Sequence, residues 1–178
     1  MQISLPTDLD DHRIAKLAAA ALALTLLEAA LPSPLPGVKP GLANIITLVV
    51  LMRYGWRSAV WVSILRVVAG SLLLGTFLSP TFILSFSGAI ASLAMLGLAQ
   101  TLPARWFGMV TLSILAALAH FSGQLAVVYF WLIPQAGVAY LIPIFAAAAL
   151  LFGTLNGLAA AILYARLPTT AQPPCVSA

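Results

Sequence analysis

The apolar residues of this chain fall into six long blocks, separated by short connections that contain proline, glycine or charged residues. A membrane-spanning helix needs about 20 apolar residues, because the hydrocarbon core is about 30 Å thick and each residue adds about 1.5 Å. Proline and glycine in the connections are typical of helix ends. The pattern therefore predicts six transmembrane helices, at 14–31, 41–53, 58–78, 81–101, 107–132 and 138–165.

The second predicted helix is too short to cross a bilayer. Its thirteen residues, 41–53, give only about 20 Å of helix. The proline-rich segment 32–40 is the candidate to complete the crossing, and non-helical backbone at membrane depth is tolerated only when buried in protein or facing a cavity. A broken segment of this kind often marks a binding site. The alternative is a tilted helix, one that continues past Arg53, or a locally thinned bilayer.

Composition excludes a soluble domain. Hydrophobic residues make up 62% of the chain and charged residues only 7%, whereas soluble domains carry about a quarter charged residues. We therefore expect a leader at 1–13, an all-α six-helix membrane domain at 14–166 and a flexible tail at 167–178. The leader contains three aspartates and does not resemble a signal peptide, so the first helix is expected to remain in the mature protein.

The positive charges predict the orientation in the membrane. They stand singly at the edges of the apolar blocks, which is typical of orientation signals and not of a nucleic-acid surface. One side of the membrane receives Arg13, Lys16, Arg53, Arg57, Arg105 and Arg166, and the other receives only Lys39. The positive-inside rule then places both termini in the cytoplasm.

Several polar residues lie inside the apolar blocks. A charge at the bilayer centre costs about 2.5–3.5 kcal/mol, so such groups are candidates for function. The residues predicted in the outer half or at the midplane are Glu28, Lys39, Asn44, Arg66, Ser71, Ser85, Ser87, His120 and Gln124, with Asn156 as the exception in the inner half. A polar cluster that opens outward predicts a small-molecule pocket.

The charges of this cluster indicate the charge of its ligand. Arg66 and Lys39 outnumber the lone carboxylate of Glu28, which favours an anionic or zwitterionic small molecule. The structural alternative is that Glu28 neutralises one of these cations. Likewise, His120 can have a structural role by forming a buried hydrogen bond with Gln124, four residues away on the same helix face.

Small residues recur at helical spacing in three of the predicted helices. Such residues let helices approach closely in a membrane. They are Ala15, Ala19 and Ala23 in the first helix, Ser85, Gly88 and Ser92 in the fourth, and Gly153 and Gly157 in the sixth. Internal packing is the ordinary explanation for each stripe. The alanine face of the first helix is the best candidate for contact with another protein.

Catalytic, cofactor and metal chemistry have no support in the sequence. The single Cys175 lies in the tail, and His120 has no second strong metal ligand at suitable spacing. No phosphate-binding loop is present, so any use of ATP requires a partner. We therefore predict a protein that is not an enzyme and carries no cofactor or metal.

Four groups of motifs resemble one protein family. They are LPGVKPGLANIITL at 35–48, LRVVAGS at 65–71, SPTF at 79–82 with SFSG at 85–88, and AHFSGQ at 119–124. Together they resemble the Gx transporter family, also called heptaprenyl diphosphate synthase component I. The resemblance covers nearly all of residues 28–165.

The resemblance implies a relationship to the substrate-binding S components of energy-coupling-factor transporters. These are six-helix proteins of the bacterial cytoplasmic membrane that bind a ligand on the outer side, beneath the loop between helices one and two. Small residues of their first helix dock an ATPase-driven module. Carried over, the loop is 32–40 and the docking face is Ala15, Ala19 and Ala23. The family-like positions Lys39, Asn44, Arg66, His120 and Gln124 coincide with the polar cluster.

The two names of the family suggest two functions. Prenyl diphosphate synthases hold magnesium with aspartate-rich motifs, because several carboxylates must share a hard divalent cation. Here the only comparable run is Asp-Leu-Asp-Asp at 8–11, in the leader. A transporter subunit is therefore the leading hypothesis, working with an ATPase and a coupling protein, alone, or as an oligomer. The alternative is a non-catalytic membrane subunit in isoprenoid or quinone synthesis.

Overall fold

The computed structural model describes residues 9–30, 41–102, 107–132 and 136–167. All regular structure in these ranges is helical, without a strand, which confirms the predicted all-α class. Lys39, the rest of the proline-rich segment 32–40, most of the leader and the tail after residue 167 lie outside the described residues.

The described chain forms five α-helices. They are α1 (Leu9–Ala30), α2 (Ala43–Leu73), α3 (Pro80–Gln100), α4 (Met109–Val127) and α5 (Ile142–Arg166). A π-helix, Val128–Leu132, continues α4, and a 3-10 helix, Ala136–Leu141, leads into α5.

Four stretches of the described residues are long and apolar enough to cross a membrane, namely α2, α3, α4 with its π-helical extension, and α5. The chain is therefore a multi-pass membrane protein. The first helix is not among these four. Its charged residues lie near both ends, from Asp10 to Lys16 and again at Glu28, so that a shorter apolar stretch remains between them.

The second helix folds back on itself at Gly55. This glycine has a φ of 81° and a ψ of −179°, which interrupt the helical backbone. In an unbroken helix, the 22 residues from Asn44 to Arg66 would span about 33 Å. Instead, Nη2 of Arg66 donates a hydrogen bond to Oδ1 of Asn44 at 3.3 Å. We call residues 43–54 the first arm of α2 and residues 56–73 its second arm.

This geometry does not confirm the predicted count of six helices, and it changes one predicted boundary. Six separate helices are not confirmed, because the predicted helices 41–53 and 58–78 belong to one element with a reversal at Gly55. The second arm also ends at Leu73 and not at residue 78, since Gly75 and Leu78 take positive φ angles of 66° and 60°. These angles are incompatible with continued right-handed helix.

The first arm begins part-way through the bundle. Nδ2 of Asn156 donates to the carbonyl oxygen of Gly41 at 3.3 Å. Asn156 lies about 21 Å along α5 from Ile142 and about 15 Å from Arg166, so Gly41 sits near mid-depth. Its φ of 72° favours glycine. The short predicted helix 41–53 thus corresponds to an arm that starts inside the protein.

Close backbone contacts join α5 to α4. A Cβ on Gly157 would lie 2.6 Å from Cα of Val110, and one on Gly153 would lie 2.9 Å from Cα of Ile114. Glycine is therefore required at both positions for the helices to approach this closely. The stripe of Gly153 and Gly157 serves internal packing.

The first helix packs with Ala18 and Ala21 turned inward, and both are buried. Its predicted docking face, Ala15, Ala19 and Ala23, is exposed. The described helices of the chain therefore leave this face uncovered.

Candidate functional site

A cavity of about 420 Å³ lies among all five helices. Its volume is within the range of about 300–1,000 Å³ that is usual for small-molecule sites. The end of α1, the start of the first arm and the end of the second arm contribute to its wall. The rest comes from the first half of α3, the second half of α4 and the first part of α5.

Seven of the nine predicted ligand-site residues line this one cavity: Glu28, Asn44, Arg66, Ser71, Ser85, His120 and Gln124. Ser87 does not, because its hydroxyl donates to the carbonyls of Leu84 at 3.0 Å and Gly123 at 3.4 Å, within the α3–α4 contact. Lys39 lies outside the described residues.

One wall of the cavity is a hydrogen-bonded network centred on Gly41. The Gly41 amide donates to Oε1 of Glu28 on α1. The Gly41 carbonyl oxygen accepts from the backbone N–H of Asn44 at 2.8 Å and from the side-chain amide of Asn156. Asn156, expected apart from the cluster in the inner half, therefore belongs to the same wall. The network fixes the start of the first arm against α1 and α5.

Arg66 is the cationic group that the network presents to the cavity. The residue is only 8% exposed, and its charge interacts with that of Glu28. The Nη2 of Arg66 donates to Asn44, as described above. Its Nε is buried and has no hydrogen-bond partner among the described residues. A buried unsatisfied donor costs about 1–3 kcal/mol.

His120 on α4 also lines the cavity and is paired with Gln124. Nε2 of the ring lies 3.2 Å from Nε2 of Gln124, so the predicted pair exists. When the amide nitrogen donates, the ring Nε2 accepts and the ring proton resides on Nδ1. That Nδ1 is buried and has no hydrogen-bond partner in the part of the chain that the structure describes.

Gly88 makes room for the His120 ring. A Cβ at this position would lie 2.7–2.9 Å from three atoms of the imidazole. The stripe that contains Gly88 therefore does more than bring α3 close to α4. It also seats the ring of His120 beside the cavity.

Four phenylalanines complete the lining and were not predicted from the sequence. We call Phe82, Phe121, Phe145 and Phe152 the phenylalanine wall. The rings of Phe121 on α4 and Phe145 on α5 are 5.3 Å apart and inclined by 46°. An apolar residue in an apolar helix has no contrast with its neighbours, so the sequence offers no signal for these positions.

Within the described residues, no group of three or more His, Cys, Asp or Glu side chains is placed to hold a metal ion. The chemistry that the lining offers is hydrogen bonding, one guanidinium, one carboxylate and aromatic contact.

Apolar helices around a partly polar cavity define a multi-pass membrane protein with a pocket of small-molecule size. The family model for heptaprenyl diphosphate synthase component I matches residues 17–163, and the chain belongs to this family. The match confirms the resemblance that the motifs indicate. Searches of curated proteins and of solved structures gave no match to the chain.

Proposed function

We propose that this protein is the substrate-binding subunit of a membrane transporter, similar to an S component, which takes up a small molecule from the outer side. The buried Arg66 beside the cavity carries the proposal. A guanidinium inside an apolar bundle is costly, and its unpartnered Nε adds to the cost. A ligand that accepts hydrogen bonds from Arg66 would offset both.

The cavity residues take different roles in this proposal. Arg66, His120 and Gln124 bind the polar part of the ligand. Glu28 balances the charge of Arg66 and anchors the first arm through Gly41. The remaining contacts come from Asn44, Ser71 and Ser85 in the lining, with Lys39 at the entrance. Ser87 we assign to helix packing.

The charges at the opposite end support uptake inward across the bacterial cytoplasmic membrane. Arg53 and Arg57 flank the reversal at Gly55, and Arg166 ends α5. The cavity is lined by the other ends of these elements. By the positive-inside rule, the cationic end and both termini face the cytoplasm, and the cavity opens outward.

Energy for transport has to come from elsewhere, since we propose neither enzymatic activity nor a cofactor for this chain. The exposed face of Ala15, Ala19 and Ala23 is the proposed contact with an ATPase-driven coupling module. A homo-oligomer would be the other way to use this face.

A second function is favoured by the family description itself. In that case the chain is a non-catalytic membrane subunit that assists prenyl diphosphate or quinone synthesis. It would co-purify with a soluble prenyl synthase, and its deletion would lower the yield or chain length of the product.

Uptake by whole cells tests the leading proposal. Cells that express the wild type, Arg66→Ala or Arg57→Ala are compared by mass spectrometry of their spent medium. Arg57 is exposed and does not line the cavity, so it provides a matched loss of one arginine. We expect at least one small molecule to be depleted by the wild type and Arg57→Ala but not by Arg66→Ala. Identical depletion by all three, at equal amounts of membrane-inserted protein, would refute the proposal.

A further inference from the structure

The phenylalanine wall is a strong enrichment of one residue type. Half of the eight phenylalanines of the chain line the cavity, whereas only four of the 31 leucines within the described residues do so. Burial of apolar surface alone would be served equally by leucine, which is far commoner in these helices. The enrichment therefore points to a ligand for which ring faces and edges matter.

The wall is formed by three different helices. One member comes from α3, one from α4 and two from α5. Phe121 is buried, while the other three are half-buried. Aromatic pairs prefer offset-stacked or edge-to-face arrangements, which are worth about 0.5–1.5 kcal/mol beyond the area buried.

The polar part of the same cavity favours an anion with several acceptors. Arg66 offers a guanidinium whose Nε has no hydrogen-bond partner within the described chain, and guanidinium groups match the geometry of carboxylate and phosphate. Arg66 and His120 both line this cavity, so one ligand can contact both groups. Glu28 is bound to the Gly41 amide.

We infer that the cavity binds an aromatic oxyanion. Its ring system lies against the phenylalanine wall, and its carboxylate or phosphate accepts hydrogen bonds from Arg66 and His120. This inference rests on the proposed function and names the substrate class of the same site.

Four small probes separate the parts of this inference. The full-length protein is placed in lipid nanodiscs and titrated calorimetrically with 3-phenylpropionate, 2-phenylethyl phosphate, 3-cyclohexylpropionate and 3-phenylpropanamide. The first two carry the aromatic ring with each kind of oxyanion. The third saturates the ring, and the fourth removes the charge.

We expect the better aromatic oxyanion to bind about 2- to 12-fold more tightly than the saturated acid, which corresponds to the energy of one aromatic pair. It should bind about 10- to 150-fold more tightly than the neutral amide, the range for a hydrogen bond to a charged group. Which of the two oxyanions binds better distinguishes a carboxylate site from a phosphate site.

Two phenylalanine variants provide the matched control. Phe152→Leu removes a half-buried ring from the wall, and we expect it to abolish the preference for the aromatic acid. Phe130→Leu makes the same change at a position that is 80% exposed and outside the cavity. It should leave the preference unchanged.

The outcomes distinguish this inference from the proposed function. If the saturated acid or the amide binds as tightly as the aromatic oxyanions, or if neither aromatic oxyanion binds at millimolar concentration, the substrate class is wrong. The proposed function survives that result when uptake still depends on Arg66. If uptake is also independent of Arg66, both are wrong.

Discussion

Replacing Gly88 by alanine would place a methyl group where the His120 ring lies. An ideal Cβ at Gly88 is 2.7 Å from Cε1 of the imidazole, 2.8 Å from Nε2 and 2.9 Å from Cδ2. These distances are too short for real contacts. Because the obstacle is the end of a side chain and not backbone, the ring moves and the helices keep their places. A displaced ring loses its bond to Gln124 and its position beside the cavity.

The change in the free energy of unfolding combines two destabilising effects and one stabilising effect. Overpacking costs about 1–3 kcal/mol, and loss of the His120–Gln124 hydrogen bond costs about 0.5–1.5 kcal/mol. Alanine in place of glycine inside a helix stabilises the helix by about 0.5–1 kcal/mol. The net loss of about 0.5–4 kcal/mol leaves a folded protein with a disturbed site. We expect uptake of the Arg66-dependent substrate to weaken at least about tenfold, which corresponds to about 1.4 kcal/mol.

Gly97→Ala is the matched control on the same helix. A Cβ at Gly97 would lie 2.9 Å from Cη2 of Trp56, so the clash is again with an aromatic ring. Gly97 does not line the cavity. Both variants should lower the thermal unfolding temperature, but only Gly88→Ala should weaken uptake. Equal uptake by the two variants, at equal amounts of folded protein, would refute the role of His120.

Three further predictions concern packing and chain path. Gly157→Ala brings a Cβ to 2.6 Å from Cα of Val110. Because backbone atoms cannot move away at low cost, we expect the free energy of unfolding to fall by about 1–3 kcal/mol, which a lower unfolding temperature would show. An unchanged unfolding temperature would contradict this packing. Ser87→Ala should leave uptake unchanged, since the Ser87 hydroxyl donates its hydrogen bonds within the α3–α4 contact. Reduced uptake would instead indicate that Ser87 takes part in ligand binding. Spin labels at Ile46 and Leu65, in a background without the native cysteine, should be separated by little more than the 8–10 Å between packed helix axes, whereas about 28 Å would indicate an unbroken α2.

Most of the polar site could be predicted because polar groups are conspicuous in an apolar chain. A membrane offers them no water, so Asn44, Arg66 and His120 had to be near partners or a cavity. Their depth along separate predicted helices was enough to bring them together. Ser87 does not line the cavity because depth does not determine the side of the helix, and it lies two positions from Ser85.

The aromatic part of the site could not be predicted in this way. The phenylalanine wall consists of apolar residues within apolar helices, and only the packing of three helices shows that its members share one cavity. Asn156 was left out of the predicted cluster for a related reason, although it lines the cavity. Its depth was judged against a full crossing, whereas the first arm of α2 begins near mid-depth at Gly41.

The fold was predictable to the level of helices, and a connection was predicted at 54–57, but its restriction to the single residue Gly55 was not. Proline and glycine marked the helix ends near residues 79 and 137. At Gly55 a single residue with positive φ reverses the chain, where a loop of four residues, 54–57, was expected. The reversal keeps Asn44 beside Arg66 and thereby forms one wall of the cavity.

Native mass spectrometry of the protein, extracted gently from its own membrane, tests the central claim most directly because it reports ligand and partners together. The proposed function predicts a bound small molecule in the wild type that is missing from Arg66→Ala and retained in Arg57→Ala. Co-purification of a soluble prenyl synthase, with no small molecule bound in any of the three proteins, would contradict the account and favour the synthase subunit.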